Sequence, residues 1–75
     1  MKKRTLFRIA VAVHNERVGG YTAKDFAEDH DVSATVLYEV LRGRTTSARL
    51  DSAINAFISD QLAHLRQTSA LVKAA

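Results

Sequence analysis

With 75 residues, no Cys, no Pro and only three Gly, the chain is one small, helix-rich domain in which disulfides and thiolate metal sites are excluded. Its 47% hydrophobic content allows a core, though a modest one of about 3–5 kcal/mol in a chain this short, and no apolar run approaches the roughly 20 residues of a membrane span. The formal charge of +3 suits an anionic partner such as nucleic acid without identifying it.

The chain opens on three consecutive cations, Lys2, Lys3 and Arg4. They suit an arm near a nucleic-acid backbone or a solubilising terminus. Leu6, Ile9, Ala10 and Val13 recur at helical spacing, with Phe7 and Val11 beside them, and predict a first helix from about Lys3 to Glu16. Arg8 interrupts the apolar run and no signal-peptide cleavage pattern follows, so a cytoplasmic protein is expected. Gly19 and Gly20 stop the helix and start a loop.

The next stretch reads as two short helices joined by a tight turn. Thr22 suits an N-cap, Asp25 the acid of a capping box, and Tyr21 with Phe26 the flanking hydrophobic staple. The first of these helices ends near His30. Ser33 caps the second, and Val32 with Leu37 repeats the staple. Helix starts this close leave two or three residues for the turn, which is a helix-turn-helix. Ala27 is small enough to let the helices cross closely. Leu37, Val40 and Leu41 face the core, and Thr35, Tyr38, Glu39 and Arg42 then point away from it. A hydroxyl, a phenol, a carboxylate and a guanidinium on one face suit base edges and phosphates. The solvated side of an ordinary bundle helix has the same makeup.

Asp25, Glu28, Asp29 and Asp31 crowd the first of the two helices and the turn. They repel phosphate, so in a DNA-binding protein they must face away from the duplex. They otherwise form an acidic patch for a protein partner. Gly43 suits a C′ position, and Thr46 or Ser47 caps a last helix from about Ala48 to at least Arg66. Arg42, Arg44 and Arg49 offer planar forks to phosphate oxygens, or form a solvated stretch. Leu50, Ile54, Phe57 and Ile58 close the core. The apolar stripe runs on through Ile58, Leu62, Leu65 and Val72, as a dimer seam or as a helix end folded back on the first helix. Residues 1–66 form the domain, and residues 67–75 a frayed helix end or tail.

No arrangement for catalysis or metal binding stands out, and no enzyme, metal or cofactor is expected. His14, His30 and His64 are far apart in sequence and lack a second ligand at metal spacing. Ser33 has no neighbouring base, and the acids lack the spacing and glycine of a calcium loop.

Residues 22–47 resemble the helix-turn-helix of the lambda-repressor/Cro-like family, especially its small phage- and mobile-element-associated members. The resemblance rests on Ala27, Val32, Ser33, Leu37, Val40 and the exit Leu41-Arg42-Gly43-Arg44. It is strong over about a third of the chain; the flanking helices match only in size and order. Asp31 departs from it, standing where the family usually has Gly. That turn position wants a positive φ, which Asp tolerates better than most residues. His30 stands where the family has an apolar core residue, which implies a half-buried structural histidine.

Pattern and resemblance together predict an all-α bundle of four or five helices around a central helix-turn-helix. Base contacts are expected from Ser33, Ala34, Thr35, Tyr38, Glu39 and Arg42. Phosphate contacts are expected from Lys2, Lys3, Arg4, Thr22, Arg44, Thr46 and Arg49. A homodimer is expected through Ile58, Leu62 and Leu65. The resemblance implies a nucleoid-associated transcriptional repressor of phage or mobile-element type, which occupies a pseudo-palindromic operator and acts sterically. Two other functions fit the same residues. One is an architectural, recombination or packaging accessory on DNA. The other is a protein-interaction module using the acidic patch.

Overall fold

The computed structural model describes residues 2–74, with side chains described through Leu65. The described residues are all-α: α1 (Lys3–Val18), α2 (Ala23–Asp29), α3 (Ala34–Leu41) and α4 (Ala48–Ala74). No described helix is long and apolar enough to cross a membrane.

The caps explain these boundaries. α1 runs two residues past Glu16 because its stop lies at Gly19 and Gly20, both at positive φ, with the Gly19 amide donating to the Asn15 carbonyl at 2.8 Å. At α2 the Asp25 amide donates to the Thr22 hydroxyl oxygen, and the Thr22 amide donates to the Asp25 carboxylate at 2.8 Å, which completes the capping box. Ser33 accepts from the Val36 amide at 3.1 Å, and Ser47 from the Leu50 amide at 3.3 Å.

α2 and α3 end in the same way. After α2, the Asp31 amide donates to the Glu28 carbonyl and the Val32 amide to the Ala27 carbonyl. After α3, the Gly43 amide donates to Val40 and the Arg44 amide to Glu39. Both are Schellman closures with the residue after the cap in the left-handed region, Asp31 at φ 58° and Gly43 at φ 79°. Asp31 thus adopts the conformation the turn demands, without being glycine.

The core joins Phe7 and Ala10 of α1, Phe26 and Ala27 of α2, Leu37, Val40 and Leu41 of α3, and Leu50, Ile54 and Ile58 of α4. Phe57 lies at the centre of an aromatic group, 5.1 Å from Phe26, 5.7 Å from Phe7 and from His14, and 5.9 Å from Tyr21 between ring centroids. Such edge and tilted contacts add to plain burial. His14 sets its edge against Tyr21, and its Nδ1 is buried without a hydrogen-bond partner among the described residues. The inward face of α1 is therefore Phe7, Ala10 and His14; of the expected Leu6, Ile9, Ala10 and Val13 stripe only Ala10 is fully buried, with Phe7 from beside it. Leu6 still packs at its edge, whereas Ile9 and Val13 are only half-buried and outside the core.

Ile58, expected both in the core and in the dimer seam, belongs to the core. It is buried in the monomer at 7% exposure and is not available as a dimer contact. α1 and α4 run in the same direction, since Lys3 meets Asp51 near their starts and Arg17 donates to Gln61 Oε1 at 3.3 Å further along. The α4 face that meets α1 includes Ile54, Ile58 and the buried Gln61. This rotates Leu62 to a half-buried edge and leaves Leu65 exposed. Val72 and the remaining side chains of the expected seam lie outside the described side chains.

Candidate functional site

The short α3 is fixed at both ends, by Ser33 and by the closure at Gly43, and its Leu37, Val40 and Leu41 are held in the core. What remains outside is Ser33, Thr35, Tyr38 and Arg42, all exposed, with Ala34 and Glu39 half-exposed. This is the face expected from helical geometry. It also carries Val36, 40% exposed, which is not among the contacts expected from the sequence. An exposed valine among polar groups can meet a thymine methyl in a major groove. Periodicity does not announce this: Val36 lies four residues before Val40, about 40° from it around the helix, and so flanks the Leu37–Val40–Leu41 stripe.

The expected phosphate contacts separate into two sets. Lys2, Arg4, Arg42 and Arg44 line a single open groove of about 540 Å3 where the start of α1 meets the exit of α3. No acid lines that groove, and none of the four cations is in an ion pair among the described residues. Lys3 and Arg49 belong elsewhere. Lys3 pairs with Asp51 on α4. Arg49 donates to the His30 carbonyl at 3.2 Å and so supports the α2–α3 turn. Thr46 lines a different recess, which also includes Lys3 and Asp51. Thr22 is exposed at the start of α2, but its hydroxyl donates to the Asp25 carboxylate at 3.0 Å. A phosphate there would meet that negative charge.

A second groove of about 310 Å3 adjoins the first and shares Arg4. Arg8, which follows Arg4 by one helical turn, lines it together with Tyr38 of α3. Arg8 is another residue that the sequence reading left out, noting it only as an interruption of an apolar run. Its signal was the i, i+4 spacing from Arg4 on the outer side of α1.

No acid lines either groove, but Thr22, which lines the second, donates its hydroxyl to the Asp25 carboxylate at 3.0 Å, so negative charge adjoins that groove on its α2 side. Burial first, and then the carboxylates of Asp29 and Asp25, push the Tyr21 hydroxyl up to about 12. Those two acids therefore sit on the side of α2 turned to Tyr21. Glu28 and Asp31 are exposed. His30 is half-buried at the end of α2 with its ring 4.4 Å from that of Phe26.

No protein-family model, curated protein or solved structure matches this chain.

Proposed function

We propose that the chain binds double-stranded DNA in a sequence-dependent way, with α3 in the major groove. The observation that carries this reading is the acid-free groove of Lys2, Arg4, Arg42 and Arg44 beside the exposed face of α3. In this reading Thr35, Val36, Tyr38, Glu39 and Arg42 meet base edges, and Ser33 and Ala34 border them. Glu39 accepts from a cytosine amino group or orients Arg42. The cations of the groove neutralise phosphates.

One α3 reads few base pairs, so the proposed DNA-binding unit is a twofold homodimer. Leu65, 48% exposed, lines an open recess with Val13 and Arg17 of α1, which supports a seam at the junction of α1 and α4. Leu62 lies at its edge. Such a dimer would place two α3 helices about 34 Å apart, one turn of DNA, on an inverted repeat. The proposed role as a repressor of phage or mobile-element type rests on the resemblance of residues 22–47.

The test is selection of bound fragments from a random DNA pool. An inverted repeat should emerge, and Tyr38→Ala and Glu39→Ala should each relax preference at separate positions. Failure to enrich any sequence would favour an accessory role on DNA. No binding at low salt would favour a protein partner at the acidic patch.

A further inference from the structure

We infer that the groove between α1, the start of α2 and α3 binds a small apolar anion of the aromatic carboxylate class. Its volume of about 310 Å3 lies at the lower end of the range for small-molecule sites, which suits a ligand of one or two rings. Its floor is apolar, formed by Phe7, Val11, Ala12 and Leu41. Its charged lining consists of Arg4 and Arg8, both on α1; on the α2 side the lining residue Thr22 is bound to the Asp25 carboxylate, so an anionic group belongs at the arginines.

The balance of charge selects the ligand. Arg4 and Arg8 lie one turn apart on α1, and neither has an ion pair or hydrogen bond among the described residues. Guanidinium groups beside an apolar cleft favour a carboxylate, which they hold through charge-assisted and often bidentate hydrogen bonds. A neutral ring gains only the floor. Asn15 adds a neutral donor. Its Oδ1 already accepts from the Tyr21 amide at 2.9 Å, so its amide nitrogen is the group left for a ligand.

The groove also reports to α3, because Tyr38 forms part of its wall while standing on the exposed face of that helix. A bound ligand would hold Tyr38 and engage Arg4, which lines the neighbouring cationic groove as well. The consequence that ligand and duplex compete rests on the DNA-binding reading. The binding site itself does not.

The experiment is a two-dimensional amide NMR titration of the whole chain with 2-naphthoate, without DNA, alongside the neutral 2-naphthamide. The carboxylate should shift the amides of Arg8, Val11, Ala12 and Ala23. The carboxamide should bind about tenfold more weakly, as expected for loss of one charge-assisted contact. Arg8→Gln should weaken naphthoate to a similar degree while leaving the spectrum dispersed, and Ala12→Leu should block the groove to both ligands. Equal binding of acid and amide overturns the proposal on the wild-type chain, whatever the variants do. So does a naphthoate titration that leaves those amides unmoved. Competition is then read separately, by adding naphthoate to labelled duplex and protein. Naphthoate binding in a chain that does not hold DNA would sustain the site and remove the DNA reading.

Discussion

α3 and α4 carry the same kinds of residue and use them in opposite ways. On α4, Asp51 is paired with Lys3, Arg49 holds the turn before α3, Gln61 is buried against Arg17, and Ile58 is core. Its polar and apolar groups mostly serve the fold. On α3, the caps at Ser33 and Gly43 satisfy the helix ends, three apolar residues hold it in place, and the remaining side chains face outward. Arg42 and Arg44 then converge with Lys2 and Arg4 without a counter-charge. Positive charge alone therefore does not locate a site on this protein. A cation already paired within the fold is structural, whereas the four that converge without a counter-charge are the ones the proposed DNA reading uses.

The comparison breaks most severely at Ile58. If α4 is core at that position, Ile58→Ala should cost about 2–5 kcal/mol in urea unfolding. Leu65→Glu, on an exposed residue, should leave the fold intact and, if the seam is correct, reduce the mass seen by light scattering to that of a monomer. An Ile58→Ala protein as stable as wild type would return that residue to the surface.

The two closures that bracket α3 give a smaller effect of opposite sign. Gly43→Ala forces a Cβ into the left-handed region and should destabilise by about 1–2 kcal/mol. Asp31→Gly relieves the same strain at the matching place and should stabilise by about 0.5–1 kcal/mol. Loss of stability in Asp31→Gly would mean that the aspartate side chain contributes more to the turn than its backbone conformation costs.

These closures also show how far the sequence was legible. Caps are local, so Thr22, Asp25, Ser33 and Gly43 could be placed from residue type and spacing, and they set the limits of α2 and α3. The α3 face followed from geometry because its neighbours were short and well bounded. The α4 core positions Leu50, Ile54, Phe57 and Ile58 followed too, but the inward face of α1 and the limits of the α4 seam did not. Both helices have apolar residues on more than one side, and the aromatic group around Phe57 decides which side turns inward. That is a long-range packing outcome, and of the two places expected for Ile58 it leaves the core and removes the seam. Whether a cation is paired is likewise a tertiary fact. Lys3 sits between Lys2 and Arg4 in the sequence, yet it pairs with a carboxylate 48 positions away.

A still smaller effect locates the acids of α2. Tyr21 is raised from 10.0 to about 12, chiefly by burial and then by Asp29 and Asp25. The fold thus favours the neutral phenol. That contribution is fully present below pH 10.0 and is lost as pH rises toward about 12. Tyr21→Phe should therefore flatten part of the alkaline fall in stability. An unchanged alkaline profile would mean that neither burial nor the two carboxylates disfavours the Tyr21 phenolate.

The most direct test of the difference between paired and unpaired cations is the salt dependence of duplex binding. Lys2→Ala, Arg4→Ala, Arg42→Ala and Arg44→Ala should each reduce the slope of log K against log salt by about 0.9, one phosphate contact apiece. Lys3→Ala and Arg49→Ala should leave the slope at its wild-type value, whatever they do to stability. Equal reductions from both sets, or binding that is indifferent to salt, would contradict the account.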